Sequence, residues 1–342
     1  MKKNIVVLIP ALNPKEDFYN YTKKLSNNND IQLIIIDDGS KEELKYIFKK
    51  IQKLPHTVVL THPTNQGKGR AIKTGLEYYI NHFNKDDYPG IITADSDGQH
   101  KIEDVLKIGE ELNNLTNEEL ILGTRYFNQD NVPFKSRNGN KITTLIFKLL
   151  YGKKINDTQT GLRGITYEFA KKCLTLKGER FEYEINMLIK AVKENIPIKE
   201  QIIETIYYDN NKESHFKPLK DAYKIYKIIL MEFILFILSG LSSKLLEIIF
   251  YKLIYNLLSN NIVIPILSRF LSSIYNYNIN KEYVFKSNEN HSIKRYYLLF
   301  TIEIFCYYIF SKELGISSKI INILLFLINY QLEQRWVYKK KD

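Results

Sequence analysis

Residues 90–100 read Gly-Ile-Ile-Thr-Ala-Asp-Ser-Asp-Gly-Gln-His, and this stretch decides the fold prediction. Its short apolar start predicts a buried strand, and two carboxylates, Asp95 and Asp97, follow directly after it. Carboxylates two residues apart at a strand end can turn toward one divalent cation, and oxygen ligands of this kind suit Mg²⁺ or Mn²⁺. An Asp-x-Asp pair alone also occurs in ordinary turns, so its meaning depends on the rest of the chain.

Similar units, each a strand followed by a polar segment, precede this stretch. Apolar strands are predicted at 5–9, 31–36 and 57–60, with helical stretches between them. This alternation indicates an α/β fold with a mostly parallel sheet covered by helices on both faces. Ligands of such sheets bind at the carboxyl ends of the strands. The polar segments at these ends are residues 10–14, 37–40, 65–70 and 95–100.

Two of these segments have both a functional and a structural interpretation. Asp37 can accept a hydrogen bond from a base or ribose, but residues 37–40 also fit an ordinary Asx turn and helix cap. Gly67-Lys68-Gly69 lets the backbone approach a phosphate at a helix N-terminus, with Lys68 supplying charge. A simple glycine-rich helix start has the same pattern, so either segment alone is ambiguous.

Charged residues further along the chain are also candidates. Arg125 ends a predicted strand at 120–125, and Arg137 precedes an apolar helix at 142–150. Either arginine can hold a phosphate bidentately, or be a solvated surface residue. Glu182 and Glu184 open another helix two residues apart, so at most one is expected to point into a site.

The overall charge indicates an anionic partner. The 342 residues carry a formal net charge of +11, which suits nucleic acid, a membrane surface or a phosphorylated substrate. We find no nucleic-acid recognition module, and the basic residues cluster near a predicted membrane face instead. Two distant cysteines, without metal-ligand spacing, fit a reducing compartment.

Taken together and in this order, the motifs of residues 4–215 resemble the family 2 glycosyltransferases of the nucleotide-diphosphosugar (GT-A) fold. The branch they resemble contains the dolichol-phosphate mannose synthases and polyprenyl-phosphate glucosyltransferases. The motifs are Ile9-Pro10-Ala11-Leu12-Asn13, Asp37-Asp38-Gly39-Ser40, Asn65-Gln66-Gly67-Lys68-Gly69, Asp95-Ser96-Asp97-Gly98-Gln99-His100, Gly123-Thr124-Arg125 and Asp157-Thr158-Gln159-Thr160-Gly161-Leu162-Arg163.

The resemblance implies a role for each matching position. Asp95, Asp97 and Gln99 are expected to hold Mg²⁺ or Mn²⁺ and to form the catalytic centre. Arg125 and Arg137 are expected to meet the acceptor phosphate. The residues expected to bind the nucleotide sugar are Pro10, Ala11, Asn13, Asp37, Gly67, Lys68, Asp95 and Ser96.

The last third of the chain predicts attachment to a membrane. Lys217, Lys220, Lys224 and Lys227 recur at helical spacing and line one face, as in a basic helix on an anionic membrane surface. A solvated face of a soluble helix remains an alternative.

After this basic helix, no uninterrupted apolar stretch reaches ~18 residues, so hydropathy is also compatible with a soluble helical bundle. Charge placement favours four spans with both ends inside, since the turn at Asn260-Asn261 is uncharged.

This region also resembles the GtrA-like four-helix membrane family, through residues 275–285 and 329–338. The predicted organisation is a transferase domain at 1–215, an amphipathic interface region at 216–230 and a transmembrane domain at 231–342. The transferase domain is expected on the cytoplasmic face of a cell membrane.

The predicted activity is transfer of a hexose from a nucleotide diphosphate sugar, of the GDP-mannose or UDP-glucose type, to a polyprenyl (dolichyl or undecaprenyl) phosphate. The resemblance implies inversion at the anomeric carbon and dependence on a divalent metal. Two alternatives remain open. One is a membrane-anchored family 2 transferase with a non-lipid acceptor, and the other is a non-catalytic carrier or flippase component for lipid-linked sugars.

Overall fold

The structure is a computed structural model that describes residues 4–125, 134–204, 218–258, 263–312 and 317–339. It divides into two compact units. The first comprises Met1–Lys148 with Lys153–Ile225, and the second comprises Leu149–Gly152 with Tyr226–Asp342. The first unit is built on a β-sheet and the second on helices.

A seven-stranded sheet forms the centre of the first unit, counted over the residues described above. The strands are β1 (Ile5–Ala11), β2 (Ile31–Asp37), β3 (Thr57–Thr61), β4 (Gly90–Thr93), β5 (Leu120–Arg125), β6 (Arg163–Thr166) and β7 (Ile198–Ile203). Their order in the sheet is β3-β2-β1-β4-β6-β5-β7. Neighbouring strands are parallel except at β6, which runs antiparallel to β4 and β5. The predicted mostly parallel α/β fold is therefore confirmed.

Strand β6 was not predicted from the sequence. Its four residues, Arg-Gly-Ile-Thr, are too few and too polar to show the alternation that marks a strand. Arg163 is nevertheless fully buried, because its guanidinium donates to the backbone oxygens of Thr160 (2.9 Å) and Glu184 (2.6 Å). Backbone partners in the tertiary structure thus make a central strand out of a segment that resembles a turn.

Helices cover both faces of the sheet. They are α1 (Asp17–Ser26), α2 (Lys45–Ile51), α3 (Lys68–His82), α4 (Ile102–Asn114), α5 (Phe134–Tyr151), α6 (Tyr167–Leu174) and α7 (Glu182–Lys193). Successive side chains of a strand point to opposite faces. Ile5, Val7 and Ile9 of β1 accordingly join the core cluster under α1, α2 and α4, whereas Leu8 lies against Gly75 of α3.

The second unit contains four long helices within the described part of the chain. Helix α8 (Pro218–Tyr255) starts in the first unit and continues into the second, followed by α9 (Val263–Ile279), α10 (Ser292–Lys312) and α11 (Ser318–Leu332). Short π-helical segments follow α9 and α11 at Asn280–Val284 and Glu333–Val337. The predicted border between 230 and 231 falls inside α8, and the two units separate between Ile225 and Tyr226.

One helical segment of the described chain, Lys220–Tyr255, is long and apolar enough to cross a membrane, judged by length and composition. Few of its residues are buried, unlike those of a core helix in a soluble protein. The predicted basic face has four lysines. Lys220 and Lys227 are exposed on α8, Lys224 is half-buried, and Lys217 lies outside the described residues. The four-span arrangement and the GtrA-like resemblance stay predictions.

Candidate active site

An open cleft of about 1800 Å³ lies at the carboxyl ends of β1, β4 and β5. Parallel strands place their carboxyl ends along one edge of a sheet, so polar segments distant in sequence meet there. The predicted site residues that line the cleft are Pro10, Ala11, Asn13, Gly67, Lys68, Asp95, Ser96, Asp97, Gln99 and Arg125. The structure therefore brings together the four polar segments that follow the predicted strands.

Asn13 lines this cleft and is linked to Asp37 through Ser40. The Asp37 carboxylate is 1% exposed and accepts a hydrogen bond from the backbone N–H of Ser40 at 2.8 Å. The Ser40 hydroxyl accepts in turn from the N–H of Asn13 (2.9 Å), which has a positive φ of 48°. Asp37 is not among the residues that line the cleft, whereas Asp38 is. A direct contact of Asp37 with a nucleotide stays a prediction.

The role of Asp38 was missed by the sequence interpretation, which treated it only as part of a helix start. Its carboxylate is buried and accepts from the backbone N–H groups of Gln66 (2.9 Å) and Gly67 (2.8 Å). One of its oxygens also lies 2.7 Å from Nδ1 of His62, whose Nε2 is 3.0 Å from the hydroxyl of Thr74. Asp38 thus anchors the loop that leads into Lys68.

Lys68 bridges two carboxylates across the cleft. Its Nζ lies 2.7 Å from Asp95 Oδ1 and 3.0 Å from Glu184 Oε1. Burial on its own lowers the pKa of a lysine, but the negative charges of Asp95 and Glu184 outweigh burial and raise the pKa of Lys68. Lys68 is therefore a fixed positive charge in the centre of the site.

Of the two glutamates that open α7, one points into the cleft, as expected from their spacing. Glu184 is 6% exposed, lines the cleft and pairs with Lys68. Glu182 instead caps the preceding turn, because its carboxylate accepts from the backbone N–H groups of Glu179 (3.2 Å) and Arg180 (3.3 Å).

Asp95 and Asp97 occupy different electrostatic environments. Burial would raise the pKa of Asp95, but Lys68 and His100, whose Nε2 is 3.3 Å away, hold it well below its usual range. For Asp97, burial raises the pKa, and the negative charge of Asp95 raises it further. The negative charge of Asp97 is only partly compensated, by the Gln99 N–H at 3.0 Å and by the charges of His100 and Lys68, so a bound cation would stabilise it.

The donor set fits a hard divalent cation whose shell is completed by a ligand. Asp95 and Asp97 supply carboxylate oxygens at one strand end, and Gln99 lines the cleft beside them. Within the described residues no group of three or more His, Cys, Asp or Glu residues is arranged to hold a metal ion. Mg²⁺ in enzymes is commonly bound by one or two carboxylates together with substrate phosphates, so two carboxylates are sufficient for that mode.

Helix α1 contributes a polar group near this acidic pair that the sequence interpretation did not identify. The hydroxyl of Tyr21 is buried without a hydrogen-bond partner among the residues described, and Tyr21 lines the cleft. Burial raises its pKa, and the charges of Asp95 and Asp97 raise it further. The proximity could not be read from the sequence, because Tyr21 lies in an ordinary amphipathic helix.

Arg125 lines the cleft with its orientation determined by Asp157. Its Nε and Nη2 donate to the two Asp157 oxygens at 2.6 and 3.0 Å, and Asp157 is fully buried. This bidentate pair holds the guanidinium plane in one orientation. Arg137 lies in α5, but its side chain is outside those described. The acceptor-phosphate role of both arginines stays a prediction.

Gly67 and Gly69 allow another segment of the chain to pack against the start of α3. A Cβ on Gly67 would lie 2.4 Å from the Glu179 oxygen, and Gly67 has a positive φ of 104°. A Cβ on Gly69 would lie 2.6 Å from the Cβ of Tyr183. The segment 179–183 therefore packs directly on the start of α3, and it brings Arg180 and Phe181 to the cleft wall. Neither residue was identified from the sequence.

Comparisons with known proteins place these features in a family. Residues 6–174 match the family model described as glycosyl transferase family 2. The chain is 30% identical over 235 residues to an uncharacterized protein of Methanocaldococcus jannaschii, covering 68% of this chain and 93% of that protein.

Two further relatives have named activities. The UDP-N-acetylglucosamine–dolichyl-phosphate N-acetylglucosaminyltransferase of Methanococcus voltae is 31% identical, over 60% of this chain and 86% of that protein. The dolichyl-phosphate beta-glucosyltransferase of Dictyostelium discoideum is 28% identical, over 64% of this chain and 72% of that protein.

Proposed function

The chain belongs to glycosyl transferase family 2 and is a glycosyltransferase, and from this premise we propose that it transfers a hexose or N-acetylhexosamine unit to a polyprenyl phosphate. The observation that carries the proposal is the cleft itself. It gathers an acidic pair, a lysine bridge and an oriented arginine at the carboxyl edge of the sheet. These groups suit a ligand that carries a diphosphate and a second phosphate.

The relatives support a narrower choice of substrates. Two of them are named for a dolichyl phosphate acceptor, and one of these is also named for a UDP-sugar donor. We therefore favour a UDP-sugar over GDP-mannose as the donor and a dolichyl-type phosphate as the acceptor. We propose that the nucleoside is held by Pro10, Ala11, Asn13 and Asp37.

The reaction needs little general-base help, because the acceptor phosphate is already an anion. A phosphate oxygen of the acceptor attacks the anomeric carbon, the new C–O bond forms, and the bond from that carbon to the donor diphosphate breaks. The nucleoside diphosphate leaves with the electron pair, and in-line attack inverts the anomeric carbon. Orientation of the two substrates then supplies much of the rate enhancement.

Each group of site residues has a distinct proposed role in this reaction. Asp95, Asp97 and Gln99 would hold Mg²⁺ or Mn²⁺, which would supply positive charge to the departing diphosphate. Lys68 adds a fixed positive charge on the same side. Arg125, oriented by Asp157, and Arg137 would position the acceptor phosphate.

We also propose that the protein is attached to a membrane through α8, with the transferase unit on the cytoplasmic side. Helix α8 exposes large apolar side chains, among them Leu241 (63% exposed), Leu245 (60%) and Ile248 (48%). Exposed apolar area of this extent on one helix favours contact with lipid. Lys220 and Lys227, exposed on the same helix, would lie near anionic headgroups.

The test is sugar transfer by the detergent-solubilised full chain. Radiolabelled UDP- and GDP-sugars would be supplied with dolichyl phosphate and Mg²⁺ or Mn²⁺. We expect a lipid-extractable, mild-acid-labile product that disappears with EDTA and with Asp97→Ala. A matched control is Asp86→Ala, an exposed carboxylate outside the cleft, which should leave transfer unchanged.

Other outcomes would select the alternatives. Nucleotide release and sugar transfer to a non-lipid acceptor, without a lipid product, would reject the polyprenyl phosphate acceptor. No turnover of any donor by the wild-type chain, together with retained function of Asp97→Ala in cells, would favour the non-catalytic carrier.

A further inference from the structure

The basic side chains that line the cleft differ in whether a carboxylate pairs with them. Lys68 is engaged by Asp95 and Glu184, and Arg125 is engaged by Asp157. Arg180 also lines the cleft, but among the described residues it makes no ion pair with a carboxylate. An arginine without a carboxylate partner, at the wall of a site for phosphorylated ligands, is available for a phosphate.

The backbone on either side of Arg180 is held on α3, and the start of its exposed side chain lies against Gly67, the residue before Lys68. The N–H of Arg70 donates to the oxygen of Glu179 at 3.0 Å, and the Glu179 carboxylate contacts Arg70 (2.7 Å) and Lys73 (3.0 Å). The Cγ of Arg180 would lie 2.7 Å from a Cβ on Gly67, so the stem of Arg180 crosses the loop directly before Lys68.

Several N–H groups at the start of α3 already have acceptors within the protein. The N–H groups of Gln66 and Gly67 donate to Asp38, and that of Arg70 donates to Glu179. Side chains can therefore add compensating charge for a phosphate on this side of the cleft.

From these observations we infer that Arg180 binds a phosphate oxyanion on the Lys68 side of the cleft. The inference deepens the proposed function and rests on it for the identity of the ligands. A planar guanidinium donates two parallel N–H···O bonds to one phosphate. That phosphate belongs either to the donor diphosphate or to the acceptor, and these two sources are separable by experiment.

The first arm measures binding by calorimetry, using the solubilised full chain with Arg180→Gln, Arg180→Lys and the control Lys23→Gln. Lys23 is an exposed cation of α1 outside the cleft, so the control removes the same charge elsewhere. If the donor diphosphate is the ligand, Arg180→Gln weakens UDP binding about ten- to a hundredfold, the range of a charge-assisted hydrogen bond. Uridine, which lacks the phosphates, binds equally to all variants, and Arg180→Lys retains part of the affinity.

The second arm measures steady-state transfer to dolichyl phosphate. If the acceptor phosphate is the ligand, Arg180→Gln raises the KM for dolichyl phosphate by a similar factor, while UDP affinity is unchanged. Equal midpoints of thermal unfolding for the variants and the wild type show that the fold is intact.

The inference is overturned if Arg180→Gln alters neither UDP affinity nor the KM for dolichyl phosphate by more than about twofold. If the wild type transfers no sugar to dolichyl phosphate, the proposed acceptor is wrong. The calorimetric UDP affinity of Arg180→Gln then tests the inference about Arg180 by itself.

Discussion

Asp37 and Asp38 are adjacent and chemically identical, yet the fold gives them different partners. The Asp37 carboxylate accepts from Ser40 within its own turn, whereas that of Asp38 accepts from Gln66 and Gly67. The difference follows from the strand end, where consecutive side chains point in opposite directions. One carboxylate therefore stabilises the turn at residues 37–40, and the other holds the loop before Lys68.

At this scale we predict that Asp38→Ala destabilises the protein. Each buried N–H left without an acceptor costs about 1–3 kcal/mol, and Gln66 and Gly67 both lose their acceptor. The loop before Lys68 loosens as a result, so UDP affinity also falls. Thermal unfolding in one detergent, with Asp86→Ala as the surface control, measures the change. Equal midpoints for Asp38→Ala and the wild type would contradict the anchoring role.

At the scale of elements, the packing of segment 179–183 on α3 positions one wall of the cleft. Gly69 permits that approach, since its Cα faces the Cβ of Tyr183 and the backbone oxygen of Arg180. Glycine costs a helix about 1 kcal/mol relative to alanine. The close contact with α7 therefore outweighs the helix propensity of α3 at this position.

Gly69→Ala is accordingly predicted to destabilise the protein even though alanine favours helix. Overpacking of this kind costs about 1–3 kcal/mol, against the helix gain of about 1 kcal/mol, and it shifts Arg180 away from Lys68. Gly139→Ala in α5 is the matched control, because a Cβ there meets nothing within 4 Å. The control should be neutral or slightly stabilising. A rise in thermal midpoint for both variants would show that α3 and segment 179–183 are not tightly packed.

At the scale of the whole molecule, two units of different composition share helix α8. The first unit buries its apolar residues in a sheet core. The part of α8 in the second unit instead exposes large apolar side chains. An exposed apolar surface is expected on a helix whose surroundings are lipid, and a buried one on a domain surrounded by water.

Charge substitutions on α8 test the membrane attachment. We expect Leu241→Arg and Leu245→Arg to reduce the fraction of protein that stays in carbonate-washed membranes, since an arginine at the centre of an inserted helix costs about 2.5–3.5 kcal/mol. Tyr223→Arg is the matched control, because Tyr223 is exposed near the basic start of α8, where added positive charge suits anionic lipid. Unchanged retention of all three variants would mean that α8 does not lie in the bilayer.

Regular patterns in the sequence were sufficient for most of the fold. The strands β1 to β5 were predictable because their apolar runs end in polar segments, whereas β7 was not identified from the sequence. The acidic pair was predictable because Asp95 and Asp97 are close in sequence as well as in space. The polar, four-residue β6 was not predictable, since its partners lie on β4 and β5.

The amino-acid sequence by itself determined the α/β class, the family motifs and the position of the acidic pair, because these depend on local periodicity and short spacing. Only the tertiary structure decided which charges meet. Lys68 and Glu184 are 116 residues apart, and Arg180 reaches the cleft only because Gly67 and Gly69 admit its segment. Contacts between distant segments depend on how sheet and helices pack, and no local pattern encodes that arrangement.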